Sequence, residues 1–147
     1  MRHDSRLSRM LHVMIHMGHH DGVMTSDMIA GMLDANPVVI RRTMAGLREQ
    51  GYVRSEKGHG GGWTLAKPLE ELTLLDIYHA VGEPSVFAVG PAYDMPGCLI
   101  EQAVNATLKD VFAEAEQLLL SRFASVTLAD IARDFPIGSH PDGRRCD

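Results

Sequence analysis

The stretch Gly58-His59-Gly60-Gly61-Gly62-Trp63 decides how this chain is read. Four glycines in five positions cannot build a helix, because each loses the most backbone entropy on ordering and none supplies a side chain to pack. The flanks, Tyr52-Val53-Arg54-Ser55-Glu56-Lys57 and Trp63-Thr64-Leu65-Ala66-Lys67, mix β-branched and aromatic residues with polar ones, and Pro68 closes the second. That is the composition of paired strands. The prediction is a hairpin whose glycine-rich tip lets backbone come very close to another body. Lys57, His59 and Lys67 make that body an anion.

Three helices are predicted before the hairpin. Leu7, Met10, Leu11, Met14, Ile15 and Gly18 recur at intervals of three and four, giving one apolar face over residues 5–19. Thr25-Ser26-Asp27 offers N-caps for a short helix through Leu33, with Met28, Ile29, Met32 and Leu33 apolar. Asn36-Pro37 pairs an N-cap residue with proline at the first helical position, and Gly51 stops the helix near Gln50. In this third helix Val39, Ile40, Thr43, Met44 and Leu47 form the expected buried stripe. Val38, Arg41, Arg42, Ala45 and Arg48 lie opposite. Helix, short helix, capped helix with arginines, then a hairpin is the order of a winged helix-turn-helix. Such a domain sets its third helix in the major groove, with the N-terminal residues nearest the bases. Thr25 and Ser26, at the start of the second helix, are placed to hold a phosphate. The other reading of the arginine face is simply a solvated helix surface.

Composition bounds the alternatives. The 147 residues and 45% hydrophobic content fit one globular domain with an extension. No apolar run is long enough to span a membrane, and Met10–Met17 is interrupted by His12 and His16, so a cytoplasmic protein is expected. Two cysteines far apart, Cys98 and Cys146, make no disulfide framework. The net charge of −5 is unevenly spread. Residues 1–68 carry nine Arg or Lys against six Asp or Glu, and the rest carry five against thirteen, a division of +3 and −8. The positive charge is thus local to the half with the hairpin, where a polyanion would bind. His59 to Gly62 resembles the oxyanion-hole motif of lipases and esterases, but the chain has no Gly-x-Ser-x-Gly elbow and no phosphate loop of the Gly-x-x-x-x-Gly-Lys type. An enzyme is not expected.

The run Asn36-Pro37-Val38-Val39-Ile40-Arg41-Arg42 through Ser55, then Gly58 to Pro68 with its Leu65-Ala66-Lys67-Pro68 ending, resembles the Rrf family of bacterial regulators. Leu72 to Val81 matches a helix of that family, and the resemblance spans roughly residues 5–120. It implies a homodimer that binds palindromic double-stranded DNA, usually as a repressor. Carried onto this chain, the DNA-facing residues are Thr25, Ser26, Asn36, Val38, Arg41, Arg42, Arg48, Lys57, His59, Gly60 and Gly61. Some members hold an iron–sulfur cluster on three clustered cysteines. Here only Cys98 stands in that region, so a cluster is not expected and no cofactor is predicted.

The second half is expected to be helical. Thr73 caps a helix over residues 73–81. A connection from Gly82 to Pro96 follows, in which Val86-Phe87-Ala88-Val89 reads as a short strand. A long helix from near Gly97 to about Phe123 has apolar pairs (Leu99/Ile100, Ala103/Val104, Val111/Phe112, Leu118/Leu119) wide enough to serve its own domain and a partner. This would be the dimerisation helix, as the resemblance implies. Thr127 caps a last helix, Leu128–Phe135, and residues 136–147 read as a disordered tail. The expected architecture is mainly α with a small β-hairpin wing: a DNA-binding domain at 1–82 and, at 83–135, the connection, the long helix and the last helix. Cys98, expected in the first turn of the long helix, is a candidate redox switch, since a helix N-terminus favours thiolate. His12, His16, His19 and His20 have helical metal-ligand spacing, and a site pairing His12 or His16 with Cys98 is a second candidate sensor. The competing function is a ligand- or metal-sensing winged-helix module, or a protein-interaction domain, that does not bind DNA.

Overall fold

The computed structural model describes residues 3–134. Phe135, the tail at 136–147 and Cys146 lie outside the described residues. Among the described residues six α-helices run in the order α1 Arg6–His19, α2 Ser26–Leu33, α3 Pro37–Glu49, α4 Leu74–Ala80, α5 Leu99–Ser125 and α6 Leu128–Arg133. Strands β1 Val53–Glu56 and β2 Gly62–Leu65 stand between α3 and α4 and pair antiparallel, with Val53 opposite Leu65 and Glu56 opposite Gly62. A 3₁₀ turn at Leu69–Glu71 leads into α4. No helix among the described residues is long and apolar enough to cross a membrane.

Local chemistry sets the helix starts. The Thr25 hydroxyl and the Asn36 side chain each accept a backbone N–H from the first turn of the helix they open, α2 and α3. Thr73–Asp76 and Thr127–Asp130 form two matching capping boxes, each threonine hydroxyl accepting an N–H and each aspartate returning the bond. The segment Val86–Val89 forms no strand. These four residues lie between Pro84 and Pro91 and pair with neither β1 nor β2.

Met10, Val13, Met14 and Met17 of α1, Ile29 and Ala30 of α2, Ile40, Met44 and Leu47 of α3, Val53 and Trp63 of the hairpin, and Leu72 and Ile77 make one core. Two stripes differ from expectation. Val39 is 55% exposed, because the buried stripe of α3 is the narrow set 40, 44, 47 and residue 39 lies about 100° round the helix from Ile40. Met28, in the first turn of α2, is likewise exposed.

Helix α5 has no buried residue over its 27 positions. One side rests on the rest of the chain: Phe123 meets Tyr78 edge-on and Phe112 stacks on Phe87 of the connection. Beyond α5 the backbone returns to the first half. Thr127 bridges Thr73, the Leu74 N–H donates to the Val126 carbonyl at 3.0 Å, and the Leu128 N–H donates to the Leu72 carbonyl at 2.8 Å. Leu128 is fully buried in the same core as α1, and α6 packs on the 3₁₀ turn and α1. The division at residue 82 groups α6 with α5; the contacts set it against the winged-helix half. Leu128→Ala should therefore destabilise the chain by about 2–5 kcal/mol, the cost of a core leucine. Urea midpoints at one fixed protein concentration check this, and a loss below about 1 kcal/mol would mean that α6 is not part of the core.

Candidate nucleic-acid interface

Trp63 fixes the relation between the helices and the hairpin. Its N–H donates to the Met24 carbonyl at 2.9 Å, and the Met24 N–H donates to the Trp63 carbonyl at 3.0 Å. Met24 thus adds a third, one-residue strand beside β2. The indole Nε1–H donates to Ser26 Oγ at 3.0 Å, and the Arg48 guanidinium lies over the ring, 5.8 Å from its centroid. Arg48 also donates to Ser55 Oγ at 3.2 Å. The ends of α2 and α3 are tied to the wing through one side chain.

The glycines of the tip are required by its geometry. Gly58 and Gly60 have φ of +100° and +81°, a region that costs an L-residue strain. A Cβ on Gly61 would collide with the Glu56 carbonyl oxygen, and one on Gly62 would sit 2.7 Å from the Met24 carbonyl oxygen. The Gly61 N–H donates to the Gly58 carbonyl at 3.0 Å, so it is spent inside the tip. Lys57, His59 and Gly60 are exposed there.

The expected interface residues fall into two sets. Val38 (55% exposed), Arg41 and Arg42 line the outer face of α3, and neither arginine forms an ion pair among the described residues. Arg48, Thr25, Ser26 and Asn36 have structural partners. Thr25 Oγ1 accepts the Met28 N–H at 3.1 Å, and Asn36 Oδ1 accepts the Val38 N–H at 2.8 Å. Each hydroxyl keeps its own O–H, and Asn36 keeps its NH₂, for an outside acceptor. Two further exposed residues lie outside the expected set. Val39 stands exposed beside Val38, and Arg54 points outward from β1 beside buried Val53. The alternation Val53 in, Arg54 out was the available signal for the second.

Among known proteins, the family model Rrf2, described as an iron-dependent transcriptional regulator, matches residues 3–134. The chain belongs to the Rrf2 family. YwnA of Bacillus subtilis, named as an HTH-type transcriptional regulator, is 28% identical over 129 residues, covering 87% of this chain and 95% of YwnA. A crystal structure described as a transcriptional regulator of Lactobacillus plantarum superposes with a TM-score of 0.72 at 27% identity, over 88% of this chain and 89% of that one. The cysteine regulator CymR of B. subtilis shares the fold at 19% identity, TM-score 0.65, over 92% of this chain and 99% of CymR. These relatives are transcriptional regulators, not enzymes.

The family description includes iron, which raises the question of an iron–sulfur cluster. A cluster is held by about four ligands, mostly thiolates. Cys98 is the one free cysteine among the described residues, and no group of three or more His, Cys, Asp or Glu gathers there. The described donors of one chain do not fit a cluster, and His12, His16 and Cys98 do not assemble within it. Cys98 is the half-buried N-cap of α5, one position before the first turn in which it was expected.

The junction at Trp63 can be tested directly. In a double-mutant cycle of Trp63→Phe and Ser26→Ala, the coupling should be about 0.5–1.5 kcal/mol, the net worth of one neutral hydrogen bond. Additive losses in chemical unfolding would show that the indole–hydroxyl bond contributes nothing.

Proposed function

We propose that this Rrf2-family chain is a sequence-specific repressor that binds palindromic operator DNA as a homodimer. The observation that supports this most is the outer face of α3. Val38, Val39, Arg41 and Arg42 stand exposed on α3, and the glycine tip carries exposed Lys57 and His59. Arginine can donate two hydrogen bonds to the major-groove edge of guanine, and valine can pack on a thymine methyl. Arg41 and Arg42 read bases in this scheme. Thr25, Ser26 and Asn36 hold phosphates with their remaining donors. Lys57 and His59 meet the adjacent backbone, Gly60 and Gly61 let the tip approach closely, and Arg54 adds charge to the wing. Arg48, held over Trp63, presents the wing to the helix and touches DNA only from that fixed position.

The homodimer reading rests on α5. Val104, Val111 and Leu118 recur at seven-residue spacing and are 50%, 51% and 75% exposed, with Ile100 beside them at 76%. A seam of that period suits a second helix. Two copies joined there would set their α3 helices about 34 Å apart, one turn of DNA. Cys98, at the root of this helix and partly exposed, is the proposed redox switch. Peroxide should weaken operator binding by the wild type, and a response kept by Cys98→Ser would remove the thiol from that role. The competing module that does not bind DNA would show no salt-dependent DNA affinity.

Arg41→Ala should cost about 1–3 kcal/mol on the operator, confined to one base pair, with random DNA little affected. Lys57→Ala should weaken operator and random DNA alike and reduce the slope of log K against log salt by about 1. Fluorescence anisotropy across a salt series measures both, and equal losses on the two DNAs for Arg41→Ala would refute base reading. Val111→Asp should shift sedimentation from dimer to monomer; an unchanged dimer would place the interface elsewhere.

A further inference from the structure

The histidines of α1 take no part in the surface described above. His12 and His16 stand one helical turn apart on the same side of α1, with His12 exposed and His16 half-buried. Their Nε2 atoms are 3.0 Å apart, and the rings meet edge to face with centroids 4.7 Å apart. At that distance two neutral imidazoles share one proton, one ring donating N–H and the other accepting. When the donor ring carries its proton on Nδ1 instead, both Nε2 atoms are free to offer a lone pair. We propose that His12 and His16 form a two-imidazole chelate for a divalent first-row transition metal, Cu(II) or Ni(II), with water in the remaining positions.

The geometry selects the metal class. With metal–nitrogen bonds of about 2.0–2.1 Å, two nitrogens 3.0 Å apart subtend about 90° at the ion. That is an adjacent pair of positions in a square-planar or octahedral site. A tetrahedral angle would need the nitrogens about 3.3–3.4 Å apart. Square-planar and tetragonal N,O surroundings suit Cu(II) and Ni(II), and Cu(II) binds a given nitrogen site most tightly of the series. Burial first, and the neighbouring His12 and His19 second, hold the His16 imidazole below its ordinary histidine value. The neutral ring is the form that ligates a metal. His19 is not the third ligand through Nδ1, which lies 2.8 Å from the Ile15 carbonyl. No larger donor group gathers among the described residues, so the ion is held by two side chains and exchanges readily.

The test uses the full chain carrying His3→Ala, which keeps an exposed imidazole that precedes α1 out of the readout. Calorimetric titration with copper(II) chloride and nickel(II) chloride should give one ion per chain. His12→Ala and His16→Ala should each weaken it by about tenfold or more, and His20→Ala should leave it unchanged. Electron paramagnetic resonance of the copper form should show two imidazole nitrogens, falling to one in His12→Ala. His12 is exposed, so that variant folds even if His16→Ala does not. Copper binding indifferent to His12→Ala, or a spectrum without nitrogen coupling, would overturn the site. Neither readout depends on DNA, so its failure leaves the operator reading untouched.

Discussion

The reciprocal pair of backbone hydrogen bonds between Met24 and Trp63 is the constraint from which the DNA-facing geometry follows. A two-stranded hairpin alone is at best marginally stable in water. The one-residue bridge turns β1–β2 into the edge of a three-strand arrangement and anchors it to the segment that starts α2. Gly62 is part of the same device, since a side chain there would meet the Met24 carbonyl. Because Trp63 is nearly buried and its indole N–H is satisfied by Ser26, the ring can serve as both core and connector. Arg48 then closes the link from the far end of α3.

That linkage explains why a modest local charge can suffice. An excess of +3 over residues 1–68 is small against the −8 of the remainder. Exposed charges interact within about 8–10 Å at physiological salt. What matters is therefore where each cation is held. Arg48 is held against the wing, whereas Arg41 and Arg42 stand outward without ion pairs among the described residues.

Much of this was legible in the chain because it is written in local chemistry. Asn36-Pro37, Thr73 with Asp76, and Thr127 with Asp130 are caps whose partners lie within three residues. The glycine tip is likewise a local demand on φ and on space. What escaped depends on distant partners. Nothing in the neighbourhood of Met24 announces a bridge to a residue 39 positions later, and nothing in Val39 distinguishes it from Ile40 until α2 and the hairpin take their places. Val86–Val89 has strand composition but no strand to pair with. The spacing of His12 and His16 marked them as neighbours, but the 3.0 Å approach of their nitrogens is a rotamer outcome that spacing cannot state.

The return of the chain after α5 gives the long helix an unusual position. Its middle is joined to the connection from α4, where Phe87 stacks on Phe112, and its exit to the first half through the Thr73–Thr127 bridge and buried Leu128. Tyr78 of α4, whose hydroxyl donates to the Pro84 carbonyl at 3.0 Å, also meets Phe123 near that exit. Residues 99–111 are mostly exposed, whereas the second half of the helix is fastened to the core. That half can translate or rotate only if α4 and α6 follow, and α4 packs on α1 and α3. A change at the exit of α5 has a packed route to α3 through α4. Thr73 and Thr127, the caps that start α4 and α6, bridge each other at that exit, so local capping and long-range docking use the same two residues.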